Sequence, residues 1–208
     1  ISDALEKYDK PKNTAPTFPA WYGFKTKPRA HQLEALNKIY EQRAIALFMS
    51  MRTGKSKTVI DFACARRMEG LADRLLIVCP LSIRKNWIRE FDVHAPIPID
   101  AHLLDTARKL DDWLGEPHDF KCLIVGVESL ATGKAAGLAE KFLLSGTRTI
   151  MVVDESSKIK NPRANRTRVC ISLGLKAETR LILTGTPVAN GPIDLYSQFE
   201  FLDTDIIG

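Results

Sequence analysis

Two short stretches carry the residue types needed to handle a phosphate chain. The first is Met49-Ser50-Met51-Arg52-Thr53-Gly54-Lys55-Ser56, which follows the apolar run Ala44–Phe48 and precedes the helical pattern Lys57–Ala63. A strand, a tight loop ending Gly-Lys-Ser and a helix make a phosphate-binding loop of the Walker A kind. Arg52, Thr53, Gly54 and the helix start are expected to turn backbone N–H groups toward the phosphates. Lys55 is expected to reach the β and γ phosphates, and the Ser56 hydroxyl to ligate Mg²⁺. The full pattern has Gly where this chain has Met49, and the bare tripeptide also suits an ordinary helix-initiating turn.

The second stretch is Ile150-Met151-Val152-Val153-Asp154-Glu155-Ser156-Ser157, a buried strand that delivers two acids at its tip. Beside a phosphate-binding loop, Asp154 is placed to hold Mg²⁺ through water and Glu155 to orient and deprotonate an attacking water. Taken alone, the same residues would also cap a following helix. A third strand-to-turn exit, Leu181-Ile182-Leu183-Thr184-Gly185-Thr186-Pro187, presents hydroxyls that could bond those carboxylates and sense the γ phosphate. Thr-Gly-Thr-Pro is also good chemistry for a plain turn.

The elements that must position these residues are legible as alternating patterns. Short apolar runs predict strands over Ala44–Phe48, Leu75–Cys79, Ile99–Leu103, Cys122–Val125, Thr149–Val153 and Arg180–Leu183. Helical spacing falls between most of them, over Ala30–Glu41, Ser56–Met68, Ser82–Phe91, Thr106–Leu114, Gly133–Leu144 and Arg163–Leu173. Strands apolar on both faces and separated by helices predict an α/β fold, a mostly parallel sheet with helices on both faces. Ligands of such sheets bind outside the carboxyl ends of the strands, where all three motifs fall. Residues 1–27 carry Pro11, Pro16, Pro19 and the aromatics Phe18, Trp21, Tyr22 and Phe24. They read as an irregular segment packing on the regular domain over 28–208.

Composition narrows the class. The 208 residues are 45% hydrophobic and 26% charged, long enough for one well-packed core. No apolar run approaches a membrane span, and the start of the chain has no signal-peptide pattern. The four cysteines, Cys64, Cys79, Cys122 and Cys170, are far apart. They fit buried thiols of a reducing compartment, so an intracellular protein is expected, cytoplasmic, or nuclear if eukaryotic. A net charge of +5 is compatible with a nucleic-acid partner and also with many other enzymes.

The order of motifs resembles the Swi/Snf-type DNA translocases of helicase superfamily two, a group with many phage and bacterial relatives. The resemblance runs over roughly residues 24 to 208. It is carried by Gly54-Lys55-Ser56, by Cys79-Pro80-Leu81 with Trp87 after it, by Asp154-Glu155 with Lys158-Ile159-Lys160-Asn161 behind, and by Leu183-Thr184-Gly185-Thr186-Pro187. It implies the first RecA-like domain of a two-domain motor, with ATP and Mg²⁺ as cofactors. Further implied partners are the backbone of double-stranded DNA and a second RecA-like domain bearing an arginine finger.

The resemblance also assigns roles. Gln32, in Lys27–Gln32, matches the family's adenine-reading glutamine motif. Ser82, Arg84 and Lys85 match its first DNA-contact motif, and Gly126–Leu130 falls where a second one lies. Lys158 and Lys160 head a basic run with Arg163, Arg166 and Arg168. For these cations a solvated helix face is the bland alternative. Thr184, Gly185 and Thr186 would couple the nucleotide to the rest of the domain. Two departures stand out: Arg52 replaces a usual Gly, and Ser157 stands where the family often has His. The first leaves open a non-catalytic nucleotide-binding module. A small-molecule P-loop kinase would explain Gly54–Ser56 and Asp154-Glu155, but neither the Thr-Gly-Thr-Pro turn nor the Lys-Ile-Lys-Asn run.

Overall fold

The computed structural model describes residues 17–104, 109–131, 133–188 and 191–206. Six strands form one sheet: β1 (Ala44–Phe48), β2 (Arg74–Cys79), β3 (Asp100–Leu103), β4 (Lys121–Gly126), β5 (Thr149–Asp154) and β6 (Thr179–Thr184). Their order is β1-β6-β5-β2-β4-β3, and every pairing is parallel. Each predicted strand is present, with ends shifted by no more than a residue.

The middles of β2, β4, β5 and β6 are apolar because both faces are covered, while β3 at the sheet edge carries Asp100 and His102. Along β2, Leu75, Ile77 and Cys79 enter one core while Leu76 and Val78 enter the other, the period-two alternation of a strand. The first core is closed by α1 (Ala30–Ile39), α2 (Lys55–Met68) and α3 (Arg84–His94). The second is closed by α4 (Leu110–Gly115), α5 (Gly133–Leu144), α6 (Asn165–Gly174) and α7 (Tyr196–Leu202).

α2 is buried on every side from Lys57 to Arg66, and Ala63, Cys64 and Ala65 let it lie close to the sheet. α7 escaped the periodicity reading. For the helix expected over Thr106–Leu114, Leu110–Gly115 is helical and 105–108 lie outside the described residues.

The helix expected to begin at Ser82 begins at Arg84. Pro80 is extended and Ile83 N–H bonds back to Pro80 O at 3.0 Å, so Leu81–Ile83 form a tighter 3₁₀ turn first.

Residues 17–29 form neither helix nor strand; Phe18, Tyr22 and Phe24 pack on the core, and Trp21 is exposed. Phe18 and Tyr22 are buried, with the Phe18 ring 5.1 Å from that of Tyr40. Tyr22 O–H donates to Asp61 Oδ1 at 3.0 Å, and Lys57 Nζ lies 2.6 Å from Asp61 Oδ2 on the buried side of α2. All four cysteines are buried free thiols. Among the described residues no helix is long and apolar enough to cross a membrane.

Candidate nucleotide and nucleic-acid site

Sheet register sets the site. Phe48, the last residue of β1, pairs with Thr184 of β6, and Leu183 pairs with Asp154 of β5. The three motifs therefore leave the sheet at the same level, side by side. A cleft of about 520 Å³ opens there, lined by the loop Met51–Ser56, Gln32, Asp154 and Glu155, together with Thr26, Lys57, Glu90 and His94. The volume lies within the range of small-molecule and cofactor sites.

The loop is held by its own backbone. Gly54 caps α2 at φ +81°, and a side chain there would run into the Gln32 amide 2.1 Å away. Gln32 Nε2 donates to Thr53 O at 3.0 Å, while Gln32 Oε1 accepts Arg29 N–H at 2.9 Å. The glutamine expected to read a base thus buckles the start of α1 to the phosphate loop.

Thr53 Oγ1 donates to Ser50 O at 2.7 Å. Lys55 Nζ sits at the loop mouth, donating to Met49 O at 3.0 Å and Ser50 O at 3.2 Å. Arg52 adopts φ +62°, the left-handed region that glycine fills without strain. Its exposed side chain lines the cleft.

Glu155 is the other non-glycine residue with positive φ among the described residues, at +52°. Both outliers flank one cleft, which is where strained backbone tends to be kept for function. The kink turns Glu155 out of the strand line and brings its N–H to Asp154 Oδ1 at 2.9 Å. Asp154 Oδ2 accepts the buried Trp87 indole N–H at 3.1 Å. Burial first, and the Glu155 charge second, push the Asp154 carboxyl up to about 6; the two N–H donors and Lys55 pull against that rise. A buried acid beside a phosphate loop suits a divalent cation, whose charge would replace the missing solvation.

Behind the acids lies a buried polar link. Ser156 Oγ–H donates to Gln198 Oε1 at 2.6 Å, and Gln198 Nε2 donates to Pro187 O at 3.0 Å and Asp194 O at 2.7 Å. Thr184 Oγ1 accepts Thr186 N–H at 3.1 Å. Gly185 lies against the loop: a Cβ there would be 3.5 Å from Met49 O. The connection from acid strand to threonine turn thus runs through Ser156 and Gln198, with no part taken by Ser157.

The cations separate into two groups. Ser82 and Lys85 are exposed at the tip of β2, and Arg84 opens α3. Leu81 N–H donates to Glu128 at 3.1 Å, joining this turn to the Gly126–Leu130 segment. Gly126 permits the approach, because a Cβ would come within 2.3 Å of Leu81. Arg84, Gly126, Ser129 and Lys134 then share a small cavity of about 180 Å³. Lys158 is exposed, but Lys160 is not a free cation: its Nζ lies 3.3 Å from the buried Asp194 carboxylate. The sequence run holds no acid among its cations, and the fold supplies one from 34 residues away.

The sequence reading had Trp87 only as a motif marker and did not find Gln198 or Ser156. A signal existed for Gln198, a lone amide within the otherwise apolar Phe199, Phe201 and Leu202 pattern.

A parallel sheet with a phosphate loop after β1 and paired acids after β5 defines a RecA-like nucleotide-binding domain. Residues 24–208 match the SNF2-related domain family, and the chain belongs to it. It is 32% identical over 167 residues to the helicase-like transcription factor of Homo sapiens, a match covering 76% of this chain and 16% of that protein. It is 30% identical over 195 residues to the ATP-dependent helicase FUN30 of Saccharomyces cerevisiae, covering 86% and 17%. Among solved structures, the Sulfolobus solfataricus SWI2/SNF2 ATPase core in complex with dsDNA superposes with a TM-score of 0.72 at 25% identity. That match covers 89% of this chain and 38% of that one. The chain spans less than a fifth of the length of these two protein relatives.

Proposed function

We propose that this chain is the ATP-binding motor domain of an intracellular DNA-dependent translocase over residues 28–208, with 17–27 packing on it; residues 1–16 of the expected packing segment lie outside the described residues. In this reading it works with a second RecA-like domain of its parent protein. The observation that carries the reading is the shared level of the β1, β5 and β6 tips, which puts Lys55, Ser56, Asp154 and Glu155 on one cleft. Family membership and the dsDNA-bound relative support the DNA side.

The residues divide the work. The N–H groups from Arg52 to Ser56 and the start of α2 cradle phosphate oxygens. Lys55 exchanges the Met49 and Ser50 carbonyls for the β and γ phosphates. Ser56 and Asp154 hold Mg²⁺, which when bound supplies charge neutralisation along the phosphates. Glu155 aligns a water with the γ phosphorus and takes its proton. Gln32 keeps the loop in register while facing the base side of the cleft. Thr184, Gly185 and Thr186 form the wall next to the loop and carry its state into α7. On the rim, Ser82, Arg84, Lys85 and Lys158 meet the sugar-phosphate backbone, giving register without base readout. Lys160 joins them only when it leaves Asp194.

Phosphoryl transfer is mostly positioning and charge stabilisation, and an arginine finger is worth about 10³–10⁵ in turnover. The second domain supplies that group across the cleft. Arg52, at strained φ inside the loop, favours one other reading, a nucleotide-binding module without turnover. Steady-state ATPase assays with and without duplex decide between them. The chain alone is expected to turn over very slowly, and DNA-stimulated turnover to return when a second RecA-like domain is added in the same chain. Robust stimulated turnover by this chain alone, lost in Lys55→Ala, would overturn the two-domain division. Nucleotide binding that never leads to turnover, second domain included, would establish the silent module.

A further inference from the structure

The Trp87 indole connects the two halves of the site. Its N–H is a donor only, and it is spent on Asp154 Oδ2 at 3.1 Å. The other carboxylate oxygen takes Glu155 N–H at 2.9 Å. Two fixed donors therefore set the plane in which the Asp154 carboxylate faces the cleft. Trp87 is 2% exposed and packs at 6.0 Å from the Phe91 ring of its own helix, so the indole moves only as α3 moves. That helix begins at Arg84, and Arg84 and Lys85 lie within one turn of Trp87. Its entry turn is tied to the Gly126–Leu130 segment through Glu128. A group that pulls on the start of α3 must therefore shift the indole, and a shifted indole must re-aim the carboxylate.

We propose that Trp87 is a positioning residue that transmits a nucleic-acid phosphate held at the start of α3 to the metal-facing carboxylate of Asp154. The proposal rests on the site assignments under Proposed function. It adds the element by which the two ligands sense each other: one rigid helix with a cation pair at its tip and a single indole on the acid.

Linkage makes the test quantitative. If duplex changes the affinity for Mg²⁺–ATP by some factor, Mg²⁺–ATP changes the affinity for duplex by the same factor. Isothermal titration of the wild-type chain with Mg²⁺–ATP, alone and saturated with a short DNA duplex, is expected to give a factor of about five or more. Trp87→Phe keeps the ring packing and removes the N–H. Whatever its own affinities, its factor is expected to fall to about one.

The wild-type protein gives a second reading that needs no variant. In an ¹H–¹⁵N spectrum the Trp87 indole signal should shift when duplex is added without nucleotide. Trp113, whose indole is bonded to Asp100 at β3, should stay in place. An unchanged factor in Trp87→Phe, a wild-type factor of one, or a Trp87 signal unmoved with duplex bound would each overturn the relay. Failure of either ligand to bind alone would instead remove the assignments beneath it, and the relay with them.

Discussion

Ser156 donates its hydroxyl to Gln198 Oε1 at 2.6 Å, and both side chains are fully buried. The bond joins the residue after the acid pair to α7. The Gln198 amide then holds Pro187 and Asp194, at the far side of the threonine turn. Gln198→Leu would remove the partner of the buried Ser156 hydroxyl and take one donor each from the Pro187 and Asp194 carbonyls. We expect a loss of about 1–3 kcal/mol in urea unfolding, the cost of one orphaned buried hydroxyl. Adding Ser156→Ala should cost less than the sum of the two single changes, because both remove one shared bond. Strict additivity would show that the bond contributes nothing.

The Lys57–Asp61 pair anchors the N-terminal segment through Tyr22. Burial raises the Asp61 carboxyl, and Lys57 followed by Tyr22 pulls it back. Asp61→Ala strands a buried ammonium and should destabilise by about 3–5 kcal/mol. The double change Lys57→Met with Asp61→Leu should recover much of that loss. Thermal melts of the three variants would decide it, and a near-neutral Asp61→Ala would show that the pair does not anchor the segment.

Asp154 costs stability as an ion. Its folded value of about 6 lies above the ordinary value of 3.8, so the folded state binds the proton more tightly than the unfolded chain. The penalty is fully present above pH 6, fades as pH falls through 6, and is gone below the unfolded value. Asp154→Asn can accept only one of the two N–H donors, a cost that does not vary with pH. On top of that cost, its stability relative to the wild type should rise by about 1–3 kcal/mol from pH 4 to pH 8. Melting temperatures across that range test the sign. A gain that grows toward low pH would contradict the assignment.

If the rim cations hold phosphates, duplex affinity should fall steeply with salt. Lys85→Ala and Lys158→Ala should each flatten the log–log slope by about one, equally on unrelated sequences. Lys160→Ala should flatten it less, because Asp194 already occupies that ammonium. Equal effects at Lys158 and Lys160 would mean that the ion pair opens on binding.

Much of this arrangement was legible from periodicity. Both-face burial makes the strands continuous apolar runs, and the sheet then delivers whatever follows each run to one edge. That logic alone puts Lys55, Asp154 and Thr184 at one edge of the sheet. Long-range partners stayed hidden, because nothing in a local pattern says which indole meets which acid: Trp87 and Asp154 are 67 residues apart. The pairing of Lys160 with Asp194 was hidden in the same way. A second limit was backbone conformation. Glu155 reads as a normal strand-end residue, and only tertiary packing forces it to φ +52°. Arg52 stands out only against the Gly usual in the family that the sequence resembles, and the structure has it at φ +62°.

The cleft between Lys55 and Asp154 is expected to bind Mg²⁺–ATP. Isothermal titration of ATP into the folded chain, with and without Mg²⁺, tests it most directly when repeated on Lys55→Ala. A charge-assisted phosphate contact is about twice as strong as a neutral hydrogen bond, so its loss should weaken binding by about tenfold or more. The wild-type chain should bind with a dependence on Mg²⁺, and Lys55→Ala should show that loss. Equal affinity in the two proteins would contradict it.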